Sequence, residues 1–131
     1  MKQLMLIGLL GAAGSLLRYG VAIGADWAAS ACGLPAFRYG TLLLNVTGSL
    51  AIGFLYVALP SAGLSVEARI AIAVGLLGGF TTFSAFAFDT TLALRQHEYG
   101  LAVANILLNN LLSICAVWTG WRLAEKLFAA A

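Results

Sequence analysis

The sequence predicts an all-α integral membrane protein of four transmembrane helices, the third broken mid-span, folded as a single membrane domain over residues 1–131. Three observations carry the four-helix membrane reading, and the break in the third span rests on its glycines. Hydrophobic residues make up 62% of the chain and charged residues only 9%, where soluble domains carry about 45–50% and about 25%. Mean hydropathy is +0.98, and seven Lys+Arg with five Asp+Glu cannot cover the surface that so small a soluble fold exposes. A spanning helix takes about 20 residues, so four use about 80 and leave about 50 for loops and ends. Apolar stretches alternate with short Gly/Pro or charged breaks, which excludes the water-soluble, disordered and fibrous classes. Four short helices can hardly enclose a polar pathway alone, so an oligomer is expected.

The first span covers residues 4–23. Lys2, the apolar run after it and the small cluster Ala29-Ser30-Ala31 also fit a signal peptide. Arg18 interrupts that run and the later spans need a membrane anyway, so the segment reads as a retained helix. Asp26 to Arg38 follows, with Gly33 and Pro35 as breakers and an interfacial turn carrying Trp27 and Phe37. The second span covers residues 39–59 and is closed by Pro60-Ser61. Gly63 to Ala68 reads as a short polar link, and the third span runs over residues 69–94. Arg95-Gln96-His97-Glu98, the most polar stretch, is a loop. The last span, residues 100–123, is anchored by Trp118, Trp121, Arg122 and Lys126.

Both termini then lie on one side. Lys2, Arg69, Arg122 and Lys126 face Arg38 and Arg95 across the membrane, a bias too weak to choose an orientation. A net charge of +2 implies no nucleic-acid partner. Cys32 and Cys115 match no metal or redox spacing, and Cys115, in an apolar run, reads as a small packing residue.

Polar groups inside the spans locate the candidate site. Thr41, Asn45 and Ser49 share one face of the second helix at i, i+4, i+8, and Asn105, Asn109 and Ser113 repeat the arrangement on the fourth. Interhelical hydrogen bonding explains one such residue; two matching stripes favour a polar pathway. In the third span, Gly78-Gly79-Phe80-Thr81-Thr82 is a weak helix. Either it breaks, freeing carbonyls for a cation or N–H groups for an anion, or it continues with a packed glycine face. Phe80, Phe83 and Phe86 fit ordinary packing, and their positive ring edges also suit an anion. Gly8, Gly11, Ala12, Gly14 and Ser15 form small-residue packing faces on the first helix. Arg18, about 21 Å along from Leu4 at 1.5 Å per residue, either snorkels to the interface or lends a fixed charge to a vestibule. No Asp, Glu, Lys or His lies in the middle of a span; Asp89 is nearest, and His97 falls in a solvated loop. No nucleotide-binding loop, metal-ligand cluster or nucleophile–base pair is present, so an enzyme is not expected.

Gly14-Ser15-Leu16-Leu17-Arg18-Tyr19, Gly40-Thr41-Leu42-Leu43-Leu44-Asn45, Gly78-Gly79-Phe80-Thr81-Thr82-Phe83-Ser84-Ala85-Phe86 and Asn105-x-x-x-Asn109 occur in that order. This set resembles the Fluc (CrcB) family of fluoride channels over all four spans. The resemblance implies an antiparallel, dual-topology homodimer with two fluoride pores in the plasma (inner) membrane, passively exporting fluoride and relieving its toxicity. It implies a central structural sodium ion held by backbone carbonyls at Gly78 and Thr81. Phe83 and Phe86 match the pore phenylalanines, Asn45 the second-helix pore amide, and Arg18 the vestibule arginine. Asn105 and Asn109 match variable fourth-helix pore positions, and Thr82 and Ser84 match third-helix hydroxyls; Thr41 joins the expected pore lining from its place on the polar stripe with Asn45. Where many members read Thr-Phe-Ser after Ser84, this chain reads Ala85-Phe86-Ala87, and Asp89 stands where Glu is usual.

A dehydrated anion needs donors in place of water, which amides and hydroxyls supply; the identity of the ion comes from the resemblance. The alternative is a proton-coupled small multidrug-type exporter, which usually needs a membrane carboxylate in the first helix. The first span has none. A non-transporting scaffold is the third class, and nothing in the loops resembles a docking surface.

Overall fold

A computed structural model describes residues 1–128, and among these every regular element is helical. Four helices are long and apolar enough to cross a membrane: α1 (Lys2–Ala31), α2 (Tyr39–Ser61), α3 (Val66–Arg95) and α4 (Tyr99–Phe128). Large apolar side chains such as Leu4, Leu9, Val74, Ile114 and Trp118 point outward, as a lipid-facing surface requires.

All four helices are longer than the spans read from sequence, by two residues at the end of α2 and by five at the end of α4. α1 continues through Asp26 and Trp27 to Ala31, in place of the interfacial turn, because no Gly or Pro lies between Gly24 and Gly33. Gly33, at φ +69°, ends it: the Gly33 N–H donates to the Ser30 carbonyl and the Leu34 N–H to that of Ala29. α3 starts at Val66 rather than Arg69, because the Ser65 hydroxyl caps it by accepting from the Ala68 N–H. The turn after α3 repeats the Gly33 geometry with a different residue: His97 has φ +61° and donates its N–H to Leu94. That backbone position usually takes glycine.

Small residues set the helix spacing. α2 and α4 touch backbone to backbone at Gly53 against Val117 and at Gly120 against Leu50. α1 lies equally close to α3, with Gly14 against the Leu76 carbonyl and Gly79 against Gly11. Asp26 ties α1 to α2, its carboxylate accepting from the Gly40 N–H at 2.9 Å. Cys115, expected in the packing, is exposed. It lies three residues before the outward-facing Trp118, on the same side of α4.

Candidate functional site

α3 is broken as expected. Its first half has a π-helical stretch, Ala71–Leu77, and a last turn, Gly78–Phe80; the second half is Phe83–Arg95. Between them Thr81 (φ −82°, ψ 160°) and Thr82 (φ −151°, ψ 110°) are extended. π-Helical geometry of this kind recurs at functional sites.

Side chains hold the break open. In an unbroken helix the Thr82 N–H would donate to the Gly78 carbonyl and the Ala85 N–H to that of Thr81. Instead the Thr82 N–H donates to Asn45 Oδ1 at 2.9 Å, and the Ala85 N–H donates to Thr82 Oγ1 at 3.1 Å. The break releases the carbonyls of Gly78, Gly79, Phe80 and Thr81 from the helix ladder, and Gly78 and Thr81 are the two positions that the resemblance assigns to a cation. Gly78 is exposed, and a Cβ there would meet only the Ala73 carbonyl, at 3.8 Å. Uncrowded, neutral oxygen donors suit a hard cation.

The amides form one chain across three helices. Asn45 Nδ2 donates to the Thr82 carbonyl (3.1 Å) and to Asn109 Oδ1 (2.9 Å). Asn109 Nδ2 donates to Asn105 Oδ1 (2.9 Å) and to the Asn105 carbonyl (3.2 Å). Asn105 Nδ2 donates to Thr90 Oγ1 (2.8 Å) and to the Phe86 carbonyl (3.3 Å). Each side-chain amide has two N–H donors, so all three are fully engaged inside the protein. Asn105 and Asn109 are buried. These amides can serve an ion only by exchanging partners. Asn110, beside them in sequence, is exposed and bonds its own helix at the Ile106 carbonyl.

A cavity of about 390 Å³ opens beside this chain, lined by Asn45, Asn109, Phe83, Phe86, Gly78 and Thr81 among others. The two phenyl rings lie 5.2 Å apart at 59°. Phe83 is 76% exposed, so its outer face has no cover within one chain. Ser113 lines the same cavity, and its buried hydroxyl has no partner among the described residues. A groove of about 780 Å³ on the other side of the break gathers Arg18, Ser15, Thr41, Thr82 and Ser84. Arg18 therefore shares a groove with the hydroxyls, and the Thr82 and Ser84 oxygens lie 3.3 Å apart.

Sequence reasoning left Asp89 without partners. Its carboxylate accepts from the Thr41 hydroxyl at 2.9 Å and lies 3.5 Å from Arg38 Nε. Thr41 thus lines the groove with its hydroxyl proton given to a carboxylate. Thr90, which carries the end of the amide chain, also went unnoticed, because a Thr inside a helix usually bonds its own backbone, as its neighbour Thr91 does. Thr90 does that too, donating to the Phe86 carbonyl.

A family model described as "CrcB-like protein, Camphor Resistance (CrcB)" matches residues 5–121. Among similar curated proteins, one from Parabacteroides distasonis is 40% identical over 95% of this chain and 92% of its own length. One from Rhizobium meliloti is 42% identical over 97% and 99%, and one from Caulobacter vibrioides 38% identical over 98% and 100%. Each of the three is named a fluoride-specific ion channel FluC. With the model match spanning all four helices and near-complete coverage of these relatives, the chain belongs to the CrcB family.

Proposed function

We propose that this protein is a passive, fluoride-selective channel that works as an antiparallel, dual-topology homodimer in the plasma membrane and lets fluoride leave the cytoplasm. Carrying this reading is the broken α3, with Phe83 and Phe86 beside a closed amide chain, in a member of a family whose relatives bear the channel name. The bare face of Phe83 and the exposed Gly78 favour completion by a second copy.

In this mechanism the ion sheds water as it passes the positive ring edges of Phe83 and Phe86. It then meets amides that exchange one partner at a time, Asn45 and Asn109 first. A buried lysine would hold the ion; edges and amides let it go. The hydroxyls of Thr82 and Ser84 and the charge of Arg18 serve the groove on the other side. Ala85 and Ala87 add no hydroxyl beside those of Thr82 and Ser84. The exporter alternative has no support, since Asp89 is engaged by Arg38 and Thr41.

The carbonyls of Gly78 and Thr81 would hold a structural sodium ion, which supplies positive charge that pins the break. Purified protein moved into sodium-free buffer is expected to lose dimer on size exclusion and to melt at lower temperature. Equal dimer content and melting in sodium-free buffer would remove the sodium site.

The deciding experiment is ion efflux from liposomes, fluoride against chloride; folded protein without fluoride flux sinks the channel reading. Phe83→Ile and Phe86→Ile are each expected to cut fluoride flux about fivefold, because losing a ring-edge contact removes about 1 kcal/mol along the path. Dimer content should be unchanged. Full flux in both variants would show that neither ring touches the ion.

A further inference from the structure

A second cavity of about 340 Å³ lies where α2 begins and α3 turns into α4, lined by Arg38, Asp89, Gln96, Glu98 and Asn105 among others. A bonded amide pair connects its lining to that of the Phe83–Phe86 cavity. Asn109 lines the first cavity, Asn105 the second, and the two side chains are bonded at 2.9 Å. The bonded pair thus links the linings of the two spaces.

The charges around the second cavity make an anion's entry depend on one residue. Asp89 and Glu98 both line it, and Arg38 is the only cation among its lining residues. Arg38 precedes the first residue of α2, with its side chain 56% exposed, while that of Asp89 is 11% exposed. The contact between them is loose: Nε alone, at 3.5 Å, with no hydrogen bond to the terminal guanidinium nitrogens among the described residues. The other Asp89 oxygen is fixed by the Thr41 hydroxyl, which anchors the carboxylate to α2. A planar fork with a carboxylate beside its Nε and its end open is suited to receive an anion.

We propose that this cavity is an end port of the conduction path, in which Arg38 receives the anion and Asp89 is the positioning residue that keeps the guanidinium over the opening. The port rests on the channel reading above. In the sequence Arg38 registers only as a charge at a span end; its place opposite Asp89 gives it a role in the path. Without Arg38 the opening is lined by two carboxylates, which repel an anion.

The test is fluoride efflux from liposomes carrying wild type, Arg38→Gln, Arg38→Lys and Arg38→Gln/Asp89→Asn, at low and high ionic strength, with dimer content checked by size exclusion. Arg38→Gln is expected to lower flux about tenfold at low salt, a loss that shrinks as salt screens the carboxylates. Arg38→Lys should keep most of the flux. The double variant should recover much of the loss, because it removes the uncompensated carboxylate as well. Wild-type flux in a dimeric Arg38→Gln protein overturns the port. So does a loss shared by Arg38→Lys and the double variant and independent of salt, which marks Arg38 as structural. A wild-type protein that passes no fluoride overturns the channel reading itself, an outcome read separately from the variants.

Discussion

Asn45→Leu is expected to lower fluoride flux more than about 100-fold, the largest effect of any single substitution in the polar chain. Leucine nearly matches asparagine in size, so packing changes little. Three bonds go at once: the Thr82 N–H loses its acceptor, and the Thr82 carbonyl and Asn109 Oδ1 lose their donor. A single interhelical hydrogen bond in a membrane contributes about 0.6 kcal/mol, but an unsatisfied buried group costs about 1–3 kcal/mol. The cheapest relief is local: the Thr82 N–H turns back to the Gly78 carbonyl and closes the helix. That relief removes the feature Asn45 maintains, the freed carbonyl and the extended Thr81–Thr82 segment. Flux should therefore fall further than stability does, and any sodium dependence of the dimer should weaken with it. Efflux and melting of Asn45→Leu in sodium and sodium-free buffer test both halves. A leucine variant that conducts normally would show that the break does not depend on Asn45.

The break was legible in the sequence because glycines and Thr-Thr in mid-span make a poor helix. What holds it open was not, since Asn45 and Thr82 are 37 positions apart. Periodicity places Asn45 and Asn109 on faces of their own helices, but only the packing of α2 on α4 brings them to 2.9 Å. Pathway and interhelical bonding looked like rival readings of these amides. In the fold they coincide, because every amide N–H in the chain is bonded inside the protein and that same chain lines the cavity. The extension of α1 past Asp26 went unread for a different reason. Hydropathy marks where a span leaves the membrane, whereas the helix ends only where Gly33 turns the backbone. Asp89 shows a third limit. Its distance from the Phe pair along α3 was plain, but its partners Thr41 and Arg38 lie across the bundle on α2 and just before it.

Gly120→Ala is expected to destabilise the folded chain by about 1–3 kcal/mol, the usual cost of overpacking, and to lower flux as α4 tilts away from α2. A Cβ at this position would sit 2.2 Å from the Leu50 carbonyl oxygen and 2.9 Å from the Phe54 nitrogen. Both are backbone atoms, which cannot rotate aside as a side chain can, so the helices must part. Gly53→Ala produces the reciprocal clash, 2.2 Å from the Val117 carbonyl oxygen. Lipid supplies no hydrophobic force to press the helices back together, so the contact itself holds them. The same seam sets the 2.9 Å reach from Asn45 to Asn109, which lies about 16 Å along α4 from Gly120 at 1.5 Å per residue. Melting in detergent and liposome flux should therefore fall together in Gly120→Ala, and the double variant with Gly53→Ala should fail to fold. Gly24→Ala is the control: nothing lies within 4 Å of an added Cβ there, and alanine favours a helix by about 1 kcal/mol over glycine. If Gly120→Ala melts with wild type, the two backbones are not in contact and the seam does not set the amide chain.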